Sequence, residues 1–175
     1  MHLQYLIEDL SGEVLIRQVM EKLLMAYPDT TYDCKSFKGI GGFKKKASVK
    51  EIKTGKLLND LVMYLRGFDK SLRGIPAAIV VVLDNDDNVP EQFRMELEDL
   101  AQQNEIETDH VFCLAVEEME AWLLGDRAAV YEAYPEARRQ AIDGYEQDSI
   151  CGTWELLADA VYPGGLQKLR KEHKA

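Results

Sequence analysis

Short apolar runs alternate with amphipathic stretches along this chain. Four of the runs have the length and the β-branched or aromatic content of strands, and they cover residues 2–8, 31–37, 79–83 and 110–116. Apolar residues recur at helical spacing in three intervening segments, residues 13–25, 56–65 and 91–103. A helix between successive strands is typical of parallel strands joined by right-handed crossovers. The pattern therefore predicts an α/β fold, with a mostly parallel four-stranded sheet in a three-layer α/β/α arrangement.

The third predicted strand is an unbroken aliphatic run that stops in the sequence Asp84-Asn85-Asp86-Asp87. Five large aliphatic residues in a row suit a strand that is buried on both faces. Because side chains alternate along a strand, Asp84 and Asp86 are expected on one side and Asn85 on the other. Such a pair of carboxylates either binds a cation, most simply Mg²⁺, or belongs to an acidic turn that closes the strand with local hydrogen bonds.

Carboxylates also follow two of the other predicted strands. Glu8 ends the first strand, and Glu117 and Glu118 follow the fourth. In an open parallel sheet the carboxyl ends of the strands lie at one edge, where ligands bind. We therefore expect Asp84 and Asp86 to converge on Glu8. Three acidic strand ends favour a metal site more strongly than one pair does.

Beyond residue 126 the apolar pattern weakens and predicts only short helices, over residues 127–134, 135–142 and 153–161. A turn is expected at Tyr162-Pro163-Gly164-Gly165, followed by a basic, polar tail. We interpret residues 1–126 as one α/β domain and residues 127–175 as a helical extension packed on it. The polar end leaves room for a partner domain or subunit.

Composition places the chain among ordinary globular proteins. Apolar residues make up 46% of the sequence, but no run approaches the roughly 18 residues that a membrane span needs. The three cysteines and three histidines are scattered, which disfavours a disulfide framework or a zinc site. These features predict a cytoplasmic protein without a membrane partner.

Charge is distributed unevenly. The net charge is −10, yet residues 35–73 contain eleven Lys and Arg residues against three Asp and Glu residues. The glycine-rich stretch inside this segment matches neither common nucleotide-binding loop pattern. The basic segment is either a solvated loop and helix face or a surface that contacts the backbone of a nucleic acid. The nucleic acid expected there is DNA. The candidate contacts are Lys38, Lys44, Lys45, Lys46 and Lys56.

The order of these motifs resembles the Toprim domain of topoisomerases, primases and OLD-type nucleases, and most of all a small bacterial Toprim-like family. The resemblance covers roughly residues 1–126. It rests on Glu8 with Ser11-Gly12-Glu13 after it, on Asp84-Asn85-Asp86, and on Glu118-Met119-Glu120-Ala121-Trp122-Leu123-Leu124. It implies metal-dependent hydrolysis of phosphodiester bonds in nucleic acid, in the setting of bacterial defence or mobile elements.

The resemblance also implies roles for individual residues. Glu8 takes the role of general acid/base or of a metal ligand, and Asp84 and Asp86 hold Mg²⁺ or Mn²⁺. The matching candidates for a second metal are Glu13, Glu118 and Glu120. Glu13 departs from the family pattern, because it stands five residues after Glu8 where the family often has a glutamate four residues on.

Other interpretations remain open. Acidic residues are common in the first turn of any helix, so Glu118 and Glu120 also fit a purely structural role. The two tryptophans, Trp122 and Trp154, are expected in the core. A non-catalytic binding or regulatory module with a Toprim-like fold is the main alternative to a nuclease. A HAD-like phosphatase is less well supported, since its nucleophilic aspartate lies on the first strand, where this chain has only Glu8.

Overall fold

The computed structural model describes residues 1–41, 56–86, 88–149 and 152–173. The elements of these residues follow in the order β1 (His2–Ile7), α1 (Leu10–Ala26), β2 (Thr31–Ser36), α2 (Leu57–Leu72), β3 (Ala77–Asp84), α3 (Pro90–Gln103), β4 (Asp109–Ala115), α4 (Glu120–Leu124), α5 (Arg127–Ala133), α6 (Arg139–Asp143), α7 (Thr153–Val161) and α8 (Gly165–Glu172). None of the helices in the described ranges has both the length and the apolar character needed to cross a bilayer.

The four strands form one parallel sheet in the order β2-β1-β3-β4. Near its carboxyl end, Ile7 of β1 pairs with Ser36 of β2 on one side and with Val82 of β3 on the other. The predicted α/β fold with a parallel four-stranded sheet is confirmed, and its helices are consistent with three layers.

The chain divides into two compact units. The first comprises Met1–Leu83 and Pro90–Leu114, and the second comprises Asp84–Val89 and Ala115–Ala175. The second unit thus includes the acidic segment at the end of β3, residues 84–86, and all residues beyond β4. The proposed domain boundary at residue 126 differs from this division and stays a prediction.

In the first unit, β3 is buried along its whole aliphatic run, as the sequence predicted. Ile79, Val81 and Leu83 are fully buried in the core formed with α2 and α3. On β1, Leu6 belongs to that core, while the hydroxyl of its neighbour Tyr5 donates to the sulfur of Met20 on α1, at 3.2 Å. Alternate residues of β1 therefore contact different helices, as expected for a central strand of a parallel sheet.

Two helix boundaries differ from the sequence-based expectation for a clear physical reason. Helix α1 begins at Leu10 and not at Glu13, because the Asp9 carboxylate accepts a 2.8 Å hydrogen bond from the backbone N–H of Gly12 and so caps the helix. Helix α2 continues through Gly67 to Leu72, since a glycine costs a helix only about 1 kcal/mol and Leu72 is buried in the core.

The second unit has its own small core. Five buried residues from four helices and the adjoining chain form it: Leu124, Val130, Ile142, Tyr145 and Ala160. Helix α8 was not predicted, because its sequence is almost entirely polar. The two tryptophans are 38% and 39% exposed, so the expectation that they lie in the core was wrong.

Candidate functional site

Glu8 lies in the first unit, directly after β1. Its backbone N–H donates a 3.0 Å hydrogen bond to the carbonyl of Val82, and its carbonyl accepts a 2.9 Å bond from the N–H of Gly39. The next residue, Asp9, caps α1 and also accepts a 2.7 Å hydrogen bond from the hydroxyl of Ser11. The backbone of the half-buried Glu8 is therefore held by β3 on one side and by the chain after β2 on the other.

Glu13 lies in the first turn of α1 and is engaged by neighbours in the same unit. A hydrogen bond with Ser36 is the main reason that the pKa of its carboxyl is lowered, and hydrogen bonding to Arg17 lowers it further. The Arg17 guanidinium donates from Nη2 at 2.6 Å and from Nε at 2.9 Å. A cation at Glu13 must compete with this arginine, so its role as a ligand of a second metal stays a prediction.

The acidic segment after β3 lies in the second unit. Asp84 is the last residue of β3 and is half-buried, whereas Asp86 is exposed. Asp86 has a positive φ of 48°, so strand alternation does not extend to it. Strand alternation therefore does not place the side chains of Asp84 and Asp86 on one side.

Hydrogen bonds fix the backbone of this segment. The N–H of Asn85 donates to the carbonyl of Ala115 at 2.8 Å, and the N–H of Asp86 donates to the carbonyl of Glu117 at 2.9 Å. The side chains of Asn85 and Asn88 each donate to the other's backbone carbonyl, at 2.5 and 2.8 Å. The local hydrogen bonds expected to close this turn are thus made by the side chains of the two asparagines.

Glu117 and Glu118 bind the amino end of α7. The Glu117 carboxylate accepts from the N–H of Gly152 at 2.5 Å and from the N–H of Thr153 at 3.0 Å. Glu118 Oε2 accepts from the N–H of Trp154 at 2.8 Å and from the Thr153 hydroxyl at 3.1 Å. Carboxylates at this position satisfy unpaired N–H groups and complement the helix dipole.

Sequence reasoning missed this capping role, because the helix begins 35 residues after the glutamates that cap it. The observed contacts give Glu118 a structural function, and its role as a metal ligand stays a prediction. Glu120 begins α4 and is half-buried, and its role as a ligand also stays a prediction.

Part of the basic segment can be located in the first unit. Lys38 is exposed just after β2, and Lys56 directly precedes α2. The candidates Lys44, Lys45 and Lys46 lie outside the described residues.

Two glycines before α2, Gly39 and Gly41, serve packing within the first unit. The carbonyl of Gly39 accepts from the N–H of Leu57 at 3.0 Å, so the loop caps α2. Gly41 has a φ of 77°, and a Cβ added to it would lie 2.6 Å from Lys56 Cβ and 2.8 Å from Asn59 Oδ1. Glycine thus permits close approach of the loop to the helix, a local reason for the glycine-rich sequence.

The donor set of the acidic segment suits Mg²⁺. This ion prefers oxygen ligands, keeps several waters and is commonly bound by one or two carboxylates together with substrate phosphates. Asp84 and Asp86 supply two carboxylates from a fixed backbone. Asn85 is fully buried, and its Oδ1 accepts no hydrogen bond from any described residue.

A larger protein cage is not found in the described part of the chain. Within those ranges, no group of three or more His, Cys, Asp or Glu side chains is arranged to hold a metal ion. The described residues therefore fit a metal ion that takes few of its ligands from the protein. Glu8 belongs to the first unit and the two aspartates to the second, and their predicted convergence stays a prediction.

Comparisons with known proteins add no functional assignment. No protein-family model matches the chain, and no match was found among curated proteins or solved structures. The resemblance to the Toprim domain therefore rests on the residues described above and stays a hypothesis.

Proposed function

We propose that the chain is a Mg²⁺- or Mn²⁺-dependent phosphodiesterase that cleaves nucleic acid in the manner of Toprim nucleases, in a bacterial cytoplasm. The observation that carries the proposal is the acidic segment after β3. There, Asp84 and Asp86 project from a backbone that hydrogen bonds to Ala115 and Glu117 hold in place. Carboxylates on a backbone that is already ordered lose less conformational freedom when they bind a cation.

Asp84 and Asp86 are assigned to metal binding. When bound, Mg²⁺ would offset the negative charge that develops on phosphate oxygens during hydrolysis. The contribution of the chain is to fix the backbone that carries both carboxylates: Asp84 through its place at the end of a buried strand, and Asp86 through its backbone bond to Glu117.

Glu8 is assigned to proton transfer. A carboxylate can take a proton from an attacking water or give one to a leaving oxygen, and such catalysis typically contributes about 10²–10⁴-fold. The backbone bonds of Glu8 to Val82 and Gly39 hold its position at the end of β1. Lys38, which is exposed, and Lys56 lie in the same unit as Glu8. Their positive charges suit contacts with phosphates.

A cleavage assay tests this proposal. Purified protein is incubated with supercoiled plasmid and with labelled single- and double-stranded oligonucleotides, in Mg²⁺, Mn²⁺ or EDTA. We expect cleavage that requires the divalent ion and is lost in Asp84→Ala. Asp33→Ala is the matched control, because Asp33 is an exposed aspartate on β2. Cleavage that survives EDTA, or is equal in Asp84→Ala and wild type, contradicts the proposal.

A non-catalytic binding or regulatory module is the second candidate. It is favoured by the use of Glu117 and Glu118 as caps of α7, which commits two of the acidic residues after β4 to structure. This candidate predicts salt-dependent binding of nucleic acid, or binding of a protein partner, with no turnover in any divalent ion.

A further inference from the structure

A groove of about 430 Å³ opens in the first unit at the carboxyl end of β2. Residues at and just after the end of β2 line one side, namely Lys35, Phe37 and Lys38, and residues of α2 line the other, namely Asp60, Met63 and Tyr64. Two lysines and one aspartate among these lining residues leave the groove with a net positive charge.

Two of the residues that line the groove are aromatic. The rings of Phe37 and Tyr64 meet edge to face with their centroids 5.1 Å apart, and Tyr64 also stacks on Phe68 at 6.1 Å. Lys35 Nζ lies 5.9 Å from the centroid of Phe37 and 5.7 Å from that of Tyr64. Cation–π attraction thus holds an exposed ammonium group over rings that are themselves fixed by packing.

Backbone bonds connect this groove to Glu8 within the same unit. The N–H of Phe37 donates to the carbonyl of Ile7 at 3.0 Å, and the N–H of Gly39 donates to the carbonyl of Glu8 at 2.9 Å. The groove therefore adjoins the strand end that carries Glu8.

We propose that the groove binds an unpaired nucleic-acid strand, with phosphates at Lys35 and Lys38 and a base against Tyr64 and Met63. This inference rests on the proposed function and names the form of its substrate. Proteins that bind single strands combine positive charge along the backbone with aromatic side chains on which bases stack. Met63 is 61% exposed, which leaves apolar surface next to the ring of Tyr64.

The chemistry of the groove distinguishes a single strand from other polyanions. A duplex offers phosphates to the lysines, but its bases are stacked on one another and do not reach Tyr64. An acidic peptide offers carboxylates to Lys35 and Lys38 but lacks planar bases for the ring. The combination of two lysines with aromatic lining residues therefore favours an unpaired strand over both.

Fluorescence anisotropy in EDTA tests the inference without cleavage. A labelled single-stranded oligonucleotide, the duplex of the same sequence and a labelled polyglutamate peptide are titrated with wild type and variants. Lys35→Gln removes one charge, and Tyr64→Leu removes the ring. Tyr64→Phe keeps the ring and guards against a folding defect. Lys70→Gln is the matched control, because Lys70 is an exposed lysine in the last turn of the same helix.

We expect wild type to bind the single strand more tightly than the duplex or the peptide. Tyr64→Leu should weaken single-strand binding at least about five-fold, while Tyr64→Phe and Lys70→Gln stay close to wild type. Lys35→Gln should lower the slope of log affinity against log salt by about one. Equal binding of strand and duplex, tighter binding of the peptide, or a Tyr64→Leu variant that binds like wild type overturns the inference.

The outcomes separate this inference from the proposed function. If the groove variants lose single-strand binding but wild type cleaves no substrate in Mg²⁺ or Mn²⁺, the groove stands and the phosphodiesterase proposal fails. If cleavage depends on Asp84 but the groove variants bind like wild type, the groove inference alone fails.

Discussion

The backbone N–H of Asp86 donates a 2.9 Å hydrogen bond to the carbonyl oxygen of Glu117. Both residues have positive φ angles, 48° and 65°, which non-glycine residues rarely adopt. The Glu117 carboxylate also binds the N–H groups of Gly152 and Thr153 at the start of α7. One residue therefore links the acidic segment to a helix in the second unit.

Replacing Glu117 by glutamine should lower the free energy of unfolding by about 1–3 kcal/mol. An amide has only one oxygen, so one of the N–H groups of Gly152 and Thr153 loses its acceptor, and the charge that complements the helix dipole is removed. Urea denaturation followed by circular dichroism measures the change. Glu136→Gln, at an exposed position in the same unit, is the control and should stay within about 0.5 kcal/mol of wild type. If Glu117→Gln and Glu136→Gln lowered the free energy of unfolding equally, the cap would contribute nothing to stability.

Replacing Asp9 by alanine should lower the free energy of unfolding by about 1 kcal/mol, the usual cost of losing an N-cap. The lost contact is the 2.8 Å hydrogen bond from the Gly12 N–H. Chemical denaturation measures the loss, and Asp29→Ala, at an exposed turn position, serves as the control. An Asp9→Ala variant as stable as Asp29→Ala would rule out the capping role.

Asp69 should make stability depend on pH. Burial raises the pKa of its carboxyl, but hydrogen bonds from Thr108 and Glu107 and the charge of Arg73 outweigh burial, so the net pKa is lowered. The bonds are 2.8–2.9 Å long and join α2 to the chain just before β4. A lowered pKa in the folded state stabilises the fold above the unfolded-state value of about 3.9, and this contribution is lost as pH falls through the folded-state pKa.

The corresponding variant is Asp69→Asn. At pH 7 it should be less stable than wild type by about 1–3 kcal/mol, and the difference should shrink as the pH is lowered below about 4. Denaturation curves at a series of pH values measure the difference. Asp99→Asn, at an exposed position on α3, should show no such convergence. A constant difference across the series would contradict the assigned charge state of Asp69.

Glu8 and Asp84 should respond differently to substitution if their proposed roles are right. Glu8→Gln removes a proton-transfer group and should lower kcat about 10²–10⁴-fold while leaving the Mn²⁺ concentration for half-maximal rate unchanged. Asp84→Asn removes a ligand charge and should raise that concentration. Initial rates over a Mn²⁺ titration distinguish the two effects. A Glu8→Gln variant that is rescued by excess Mn²⁺ would make Glu8 a metal ligand instead.

The parallel sheet could be predicted because its cause is local. The aliphatic run of residues 79–83 determines a strand buried on both faces, and the intervening amphipathic segments determine crossovers. The errors also have local reasons. The helix predicted over residues 13–25 starts too late because Asp9 caps α1, and the helix predicted over residues 56–65 ends too early because the core continues to Leu72.

The candidate site was only partly predictable, because its supporting contacts are long-range. The sequence identified the acidic residues after three strands, but the bond of Asp86 to Glu117 and the bonds of Glu117 to α7 join residues that are far apart in the chain. Likewise, nothing local indicates that Lys35 lies over the ring of Tyr64. Such pairings arise from the tertiary fold.

Metal binding by the acidic segment is tested by a crystal of the protein soaked in Mn²⁺, with the anomalous scattering of the ion used to locate it. We expect one ion with oxygens of both Asp84 and Asp86 within about 2.0–2.6 Å, and no ion in a crystal of Asp84→Asn treated in the same way. An ion bound elsewhere, or an acidic segment that stays empty at saturating Mn²⁺, would contradict it.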